Sequence, residues 1–210
     1  MTTLLRSRAS VALGVLLAAS VLQGCAPLLV GGAAVGSALM VTDRRTSGTQ
    51  IDDQGIEIKA ANRVREAIGD RGHVNVTSYN RLVLLTGEVP NEADRAAAEQ
   101  AVQRVEGVRS TVNELAVAGN ASLTSRSNDT LLTSKVKATY VDAKDLQANA
   151  VKVVTERGIV YLMGIVTERE ATRAADLAAG ISGVHKVVRV FEVVSEAELA
   201  GLQRTTAPKQ

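Results

Sequence analysis

From Asp53 onward, apolar positions repeat twice in one order. Each copy opens with helical spacing, over roughly Ile56–Ile68 and Thr130–Val141. Two short strands follow, with Val74-Asn75-Val76 corresponding to Val151-Lys152-Val153. The turn between them falls at Tyr79-Asn80 in the first copy and at Glu156-Arg157-Gly158 in the second, where Asn80 and Gly158 tolerate positive φ. Superposing Gly87 on Gly164 lays Leu82-Val83-Leu84-Leu85-Thr86-Gly87-Glu88-Val89 over Ile159-Val160-Tyr161-Leu162-Met163-Gly164-Ile165-Val166. A second helix spans Glu92–Val105 and Glu168–Ala179, with acidic residues in a first turn that favours them. Gly107 and Gly183 stop it, and a last strand spans Val108–Val117 and Val184–Val194. Asn128 or Asp129 is expected to cap the second copy's opening helix.

The predicted fold class is α+β: two tandem αββαβ units, each a three-stranded mixed sheet with both helices on one face. Two copies are too few for a solenoid and read as tandem domains. The units occupy 53–118 and 127–194, joined by a polar linker at 119–126 and followed by a tail at 195–210. The tail is expected to continue helically through Leu199 and then become disordered.

The N-terminus reads differently. Arg6 and Arg8 precede an uncharged stretch from Ala9 to Leu22, the layout of a signal peptide over 1–24. The stretch is shorter than the roughly 20 apolar residues a bilayer span needs. The single cysteine of the chain, Cys25, ends the run Leu22-Gln23-Gly24-Cys25. This resembles a lipobox, although Gln23 is unusual there; the alternative is an ordinary signal peptide with an incidental cysteine. Residues 25–52 then form a tether. Its Gly/Ala-rich part, Pro27 to Val41, either lies along the membrane surface or serves as a flexible spacer. Asp43 to Asp53 is polar and turn-rich, and Arg44 and Arg45 are expected to be solvated, the alternative being contact with lipid headgroups.

Composition narrows the function. The chain has 210 residues and a formal charge of +2, and cleavage before Cys25 would remove two arginines. A nearly neutral mature chain is not a nucleic-acid binder of the usual kind. Three tyrosines, one phenylalanine and no tryptophan leave little for base stacking. With one cysteine there is no intramolecular disulfide, so modules of about 70 residues depend on aliphatic packing.

Projected at 100° per residue, the two opening helices differ. In the first, Ile58, Ala61, Val64 and Ile68 gather on the core side, opposite Lys59, Asn62, Arg63, Glu66 and Asp70. In the second, Leu132, Val136 and Tyr140 form the core stripe. Its outward side carries Leu131, Ser134, Lys135, Lys137, Ala138, Val141 and Asp142. Apolar side chains between lysines suit an anionic membrane surface. The alternative is that Leu131 and Val141 pack against the first copy across an interdomain interface.

No catalytic or metal constellation emerges. His73 and His185 occupy non-equivalent positions, Glu168 and Glu170 are helix-start residues, and the serines lack a nucleophile-elbow setting. No small-molecule substrate or cofactor is expected, apart from the diacylglycerol and acyl chain covalently attached to Cys25.

The strand ends Thr86-Gly87-Glu88-Val89 and Met163-Gly164-Ile165-Val166, with Gly107-Val108-Arg109-Ser110-Thr111-Val112-Asn113, resemble a pair of BON domains. The second copy keeps Gly183-Val184 and Val188 but has Arg189 where the first has Asn113. Together with the cysteine motif, the chain resembles the dual-BON outer-membrane lipoproteins. The resemblance implies an anchored, periplasm-facing protein that binds anionic phospholipid through its second BON unit and supports envelope integrity. Ala26 rather than Asp after the cysteine implies, in this class, sorting to the outer membrane of a Gram-negative cell. The rival expectation is an adaptor that docks an envelope protein, such as an assembly factor or cell-wall enzyme.

Overall fold

The computed structural model describes residues 43–206. The signal peptide, Cys25 and the Gly/Ala-rich tether lie outside the described residues, as does the tail beyond 206. Helix α1 is Ser47–Ile68, followed by β1 (His73–Tyr79), β2 (Leu82–Val89), α2 (Glu92–Gln103), β3 (Ser110–Asn113) and β4 (Ala116–Val117). The second repeat has α3 (Leu123–Asp142), a 3-10 turn (Ala148–Ala150), β5 (Lys152–Glu156), β6 (Ile159–Val166), α4 (Glu168–Ala179) and β7 (Lys186–Val193). Helix α5 (Glu196–Thr206) closes the described chain and carries the helical segment well past Leu199.

Each repeat is the expected mixed sheet. The middle strand pairs antiparallel with the first strand and parallel with the last. Alternation along the middle strands explains why they are apolar throughout. In β2, Val83, Leu85 and Val89 face α1 and α2. In β6, Val160, Leu162 and Val166 face α3 and α4. The intervening Leu84 joins Tyr161, Met163 and Ile165, with Tyr79 and Val190, in a third buried cluster. The two sheets therefore pack on each other through their helix-free faces, and the layers run helices, sheet, sheet, helices. The apolar part of the interdomain interface is made by strands, and Leu131 and Val141 take no part in it.

Several boundaries differ from expectation. Helix α1 starts nine residues early, with the Thr46 hydroxyl accepting from the Thr49 amide at 3.1 Å. Its first half buries only Asp53 before Ile56, so no apolar period announces it. The buried stripe is Ile56, Ala60, Val64 and Ile68; Ile58 is 61% exposed. An i, i+4 row thus replaces the expected row through Ile58 and Ala61. Helix α3 likewise starts inside the polar linker, capped by Ser122 rather than Asn128 or Asp129.

The last strand of the first repeat is broken. Asn113 Nδ2 donates to the Arg95 carbonyl at 3.1 Å, and its Oδ1 accepts from the Leu115 amide at 3.2 Å. This latch turns the chain between β3 and β4. In the second repeat the equivalent Arg189 reaches Glu168 at 3.5 Å, and β7 runs unbroken. The Asn thus has a local structural role.

Candidate functional site

Helix α3 holds its core stripe of Leu132, Val136 and Tyr140 against the sheet, and the Tyr140 hydroxyl donates to the Ala174 carbonyl at 2.8 Å. The opposite side is free. Leu131 is 60% exposed and Val141 73%, and Ser134, Lys135, Lys137 and Ala138 between them are exposed. Leu123, at 80% exposure, continues this face by two turns and escaped the sequence reading. It lies eight residues before Leu131, a spacing that would have revealed it had the helix start been known.

The face is less polar than its composition. The Ser127, Thr130, Ser134 and Thr139 hydroxyls each donate to the carbonyl four residues earlier, at 3.0 Å. Hydroxyls satisfied within the helix need no water. The cations are Lys135 and Lys137, neither of which has an ion-pair partner among the described residues.

Asp129 lies inside α3, buried, and organises the β5–β6 turn. Its Oδ2 accepts from the Arg157 amide at 2.9 Å and its Oδ1 from the Gly158 amide at 2.8 Å. Asp53 does the same for the Asn80 and Arg81 amides, at 2.7 and 2.8 Å, and also accepts from the Ser78 hydroxyl. Both central residues of each turn have positive φ, including the non-glycine Arg81 at 65°. The first turn is therefore centred one residue later than expected. Burial would raise the Asp53 carboxyl, yet its hydrogen bonds from Ser78, Arg81, Arg45 and Asn80 hold it below the ordinary range.

A cleft of about 780 Å³ opens beside the start of α3, reached by Leu131, Lys135, Arg157 and His185. The interdomain seam nearby is polar. Asn75 Nδ2 donates to Glu156 Oε2 at 2.8 Å, and Arg157 reaches the fully buried Glu88 at 3.4 Å. Burial pushes the Glu156 carboxyl up; Asn75 opposes this, and the Glu88 and Asp129 charges add to it.

Arg44 and Arg45 are not solvated. Arg44 is buried against the second repeat, where it donates to the Ile165 carbonyl and to both Glu170 oxygens. Arg45 stacks over Tyr79 at 4.0 Å from the ring centre and pairs with Asp43 and Asp53. The packed sheets bring the chain just before α1 within reach of α4, which no local pattern signals.

Among the described residues, no group of three or more His, Cys, Asp or Glu could hold a metal ion, and no helix is long and apolar enough to cross a membrane. His185 corresponds to Arg109, since each amide donates to the turn carbonyl of its own repeat at 2.8 Å.

Residues 56–119 and 128–195 each match the BON domain family. The chain is 45% identical over 184 residues to outer membrane lipoprotein DolP of Haemophilus influenzae, covering 86% of this chain and 94% of that one. It is 32% identical over 154 residues to a 21 kDa hemolysin of Actinobacillus pleuropneumoniae, covering 72% and 79% respectively. It is 30% identical over 148 residues to osmotically-inducible protein Y of Escherichia coli, covering 67% and 72%. With a matching domain in each of its two structural repeats, the chain belongs to the BON domain family.

Proposed function

We propose that this is a non-enzymatic outer-membrane lipoprotein, acylated at Cys25 and facing the periplasm. Its second BON domain binds anionic phospholipid through α3 and so supports envelope integrity. The likeness to outer membrane lipoprotein DolP supports the anchor and the location. The observation that carries lipid binding is the exposed Leu131 and Val141 beside Lys135 and Lys137, on a helix whose hydroxyls are internally satisfied.

The magnitudes are adequate for an anchored protein. Full burial of one leucine contributes about 1.5–3 kcal/mol. Each lysine near an acidic leaflet adds about 1 kcal/mol. These sums are weak for a free protein but suffice for one tethered at high effective concentration.

Cosedimentation of the fragment from Asp43 onward with anionic vesicles tests this. The combination of Leu131→Glu, Lys135→Glu and Lys137→Glu should abolish binding while the thermal unfolding midpoint stays unchanged. Undiminished cosedimentation of that variant would remove the proposal. A photo-crosslink from Leu131 to an envelope protein instead of lipid would favour the adaptor reading.

A further inference from the structure

The two repeats build the same hollow and furnish it differently. In each, the opening helix, the hairpin turn and the glycine before the last strand enclose a space. Gly107, at φ 89°, backs onto Ile56, and Gly183, at φ 99°, backs onto Leu132. In the first repeat the hollow is about 350 Å³ and is lined by Asp52, Arg81 and Glu106. Arg81 pairs with Asp52 at 2.8 Å, so the site neutralises itself. In the second repeat the corresponding residues are Asn128, Gly158 and Ser182, and the cleft, which extends to Asn120, Ser122 and Ser125, measures about 780 Å³. The lysine is kept, as Lys59 and Lys135.

The second cleft has thus lost two carboxylates and the arginine that occupied it. The ionisable side chains that line it are Lys135, Arg157, His185 and Asp129. Both Asp129 oxygens are taken by turn amides. Among the described residues, the Lys135 ammonium and the His185 ring have no side-chain partner, and Arg157 has only its 3.4 Å contact with Glu88. Leu131 lines the same cleft and belongs to the exposed apolar face of α3.

We propose that this cleft seats the phosphate of an anionic phospholipid headgroup, with Lys135, Arg157 and His185 as the cationic and donor groups. The inference rests on the membrane reading of α3 and gives it a headgroup site. A phosphate held there places the rest of the lipid beside Leu131. The first repeat, where Asp52 and Glu106 balance Lys59 and Arg81, offers the same group no net positive charge.

The test uses the full lipidated chain in nanodiscs of anionic phospholipid, with a nitroxide placed either on the headgroup or deep in the acyl chain. Amide broadening by NMR is the readout. The headgroup label should broaden Gly158, Ser182 and Gly183, and the acyl label should broaden Leu131 and Val141. Asn128→Asp with Ser182→Glu restores the acidic lining of the first repeat at two exposed positions. It should cut the headgroup broadening at the cleft several-fold and leave the acyl broadening in place, whereas Ser182→Ala should change neither. Acyl broadening with an unbroadened cleft overturns the headgroup site and leaves the α3 reading intact. Loss of both in the unmodified chain overturns the α3 reading itself. A cleft that shifts with inorganic phosphate in neutral nanodiscs but is not broadened by the headgroup label overturns lipid as the occupant.

Discussion

Arg44 and Glu170, 126 positions apart, form a two-pronged ion pair almost wholly out of water. Arg44 Nη1 lies 2.8 Å from Oε2, and Nη2 lies 2.7 Å from Oε1. The same carboxylate accepts from the Thr167 amide at 3.0 Å, in the capping box that starts α4. One glutamate thus caps its own helix and fastens the chain that leads into the first domain.

Arg44→Ala should cost about 3–5 kcal/mol, because it strands a buried carboxylate. Arg44 first, then the Thr167 amide, holds the Glu170 carboxyl below the ordinary range despite its burial. A depressed folded-state pKa gives stability that is complete above the unfolded value of about 4.5 and disappears as pH falls through the folded value. Glu192, paired with Arg109 across the domains, has the same sign. Glu156 has the opposite sign, and its protonation favours the fold. Thermal melts from neutral to acid pH should show a loss on the acid side that is smaller in Arg44→Ala, since that variant has already lost the pair. An identical acid profile would refute the assignment.

Gly87 and Gly164 should tolerate no side chain. A Cβ on Gly87 would lie 2.0 Å from the His73 carbonyl oxygen, and one on Gly164 would lie 2.3 Å from the Ala150 carbonyl oxygen. Backbone rather than a movable side chain blocks each site. Gly87→Ala or Gly164→Ala should destabilise by more than about 4 kcal/mol. Chemical denaturation reads this directly, and a cooperative transition near the unmodified midpoint would contradict it.

Asn113→Ala should cost about 1–3 kcal/mol by leaving the Leu115 amide without its partner and removing the bonds to the Arg95 carbonyl and the Glu99 carboxylate. Hydrogen exchange at Leu115 should accelerate before exchange in β2 does. Arg189→Ala, at the equivalent position with only a 3.5 Å contact to Glu168, should be nearly neutral.

The first helix offers a control for the second. Ile51 and Ile58 are 70% and 61% exposed on α1, so α1 is not the wholly polar face expected of it. The same face continues through Asn62 and Arg65, whereas α3 continues through Ala138 and Val141. Ile58→Glu should leave anionic-vesicle cosedimentation within about twofold, while Leu131→Glu should lower it severalfold. Equal losses from the two would spread the contact over both domains.

Much of the lipid-binding candidate was legible because it is local. Leu131, Lys135, Ala138 and Val141 fall on one side of any helix drawn through them, whatever its partners. The core row of α1 was misread because Ile58 and Ile56 are both apolar and period alone does not choose between neighbouring rows. Asp129 looked like a cap because its bonds to the Arg157 and Gly158 amides span a fold-level distance.

The sequence alone determined the duplication, the order of elements and the doubly apolar middle strands. These follow from spacing within a few residues of each position. Face-to-face packing of the sheets, burial of Arg44 on Glu170 and the larger size of the second of two equivalent hollows belong to the three-dimensional fold. Those outcomes depend on which distant surfaces exclude water together, and local periodicity does not encode that pairing.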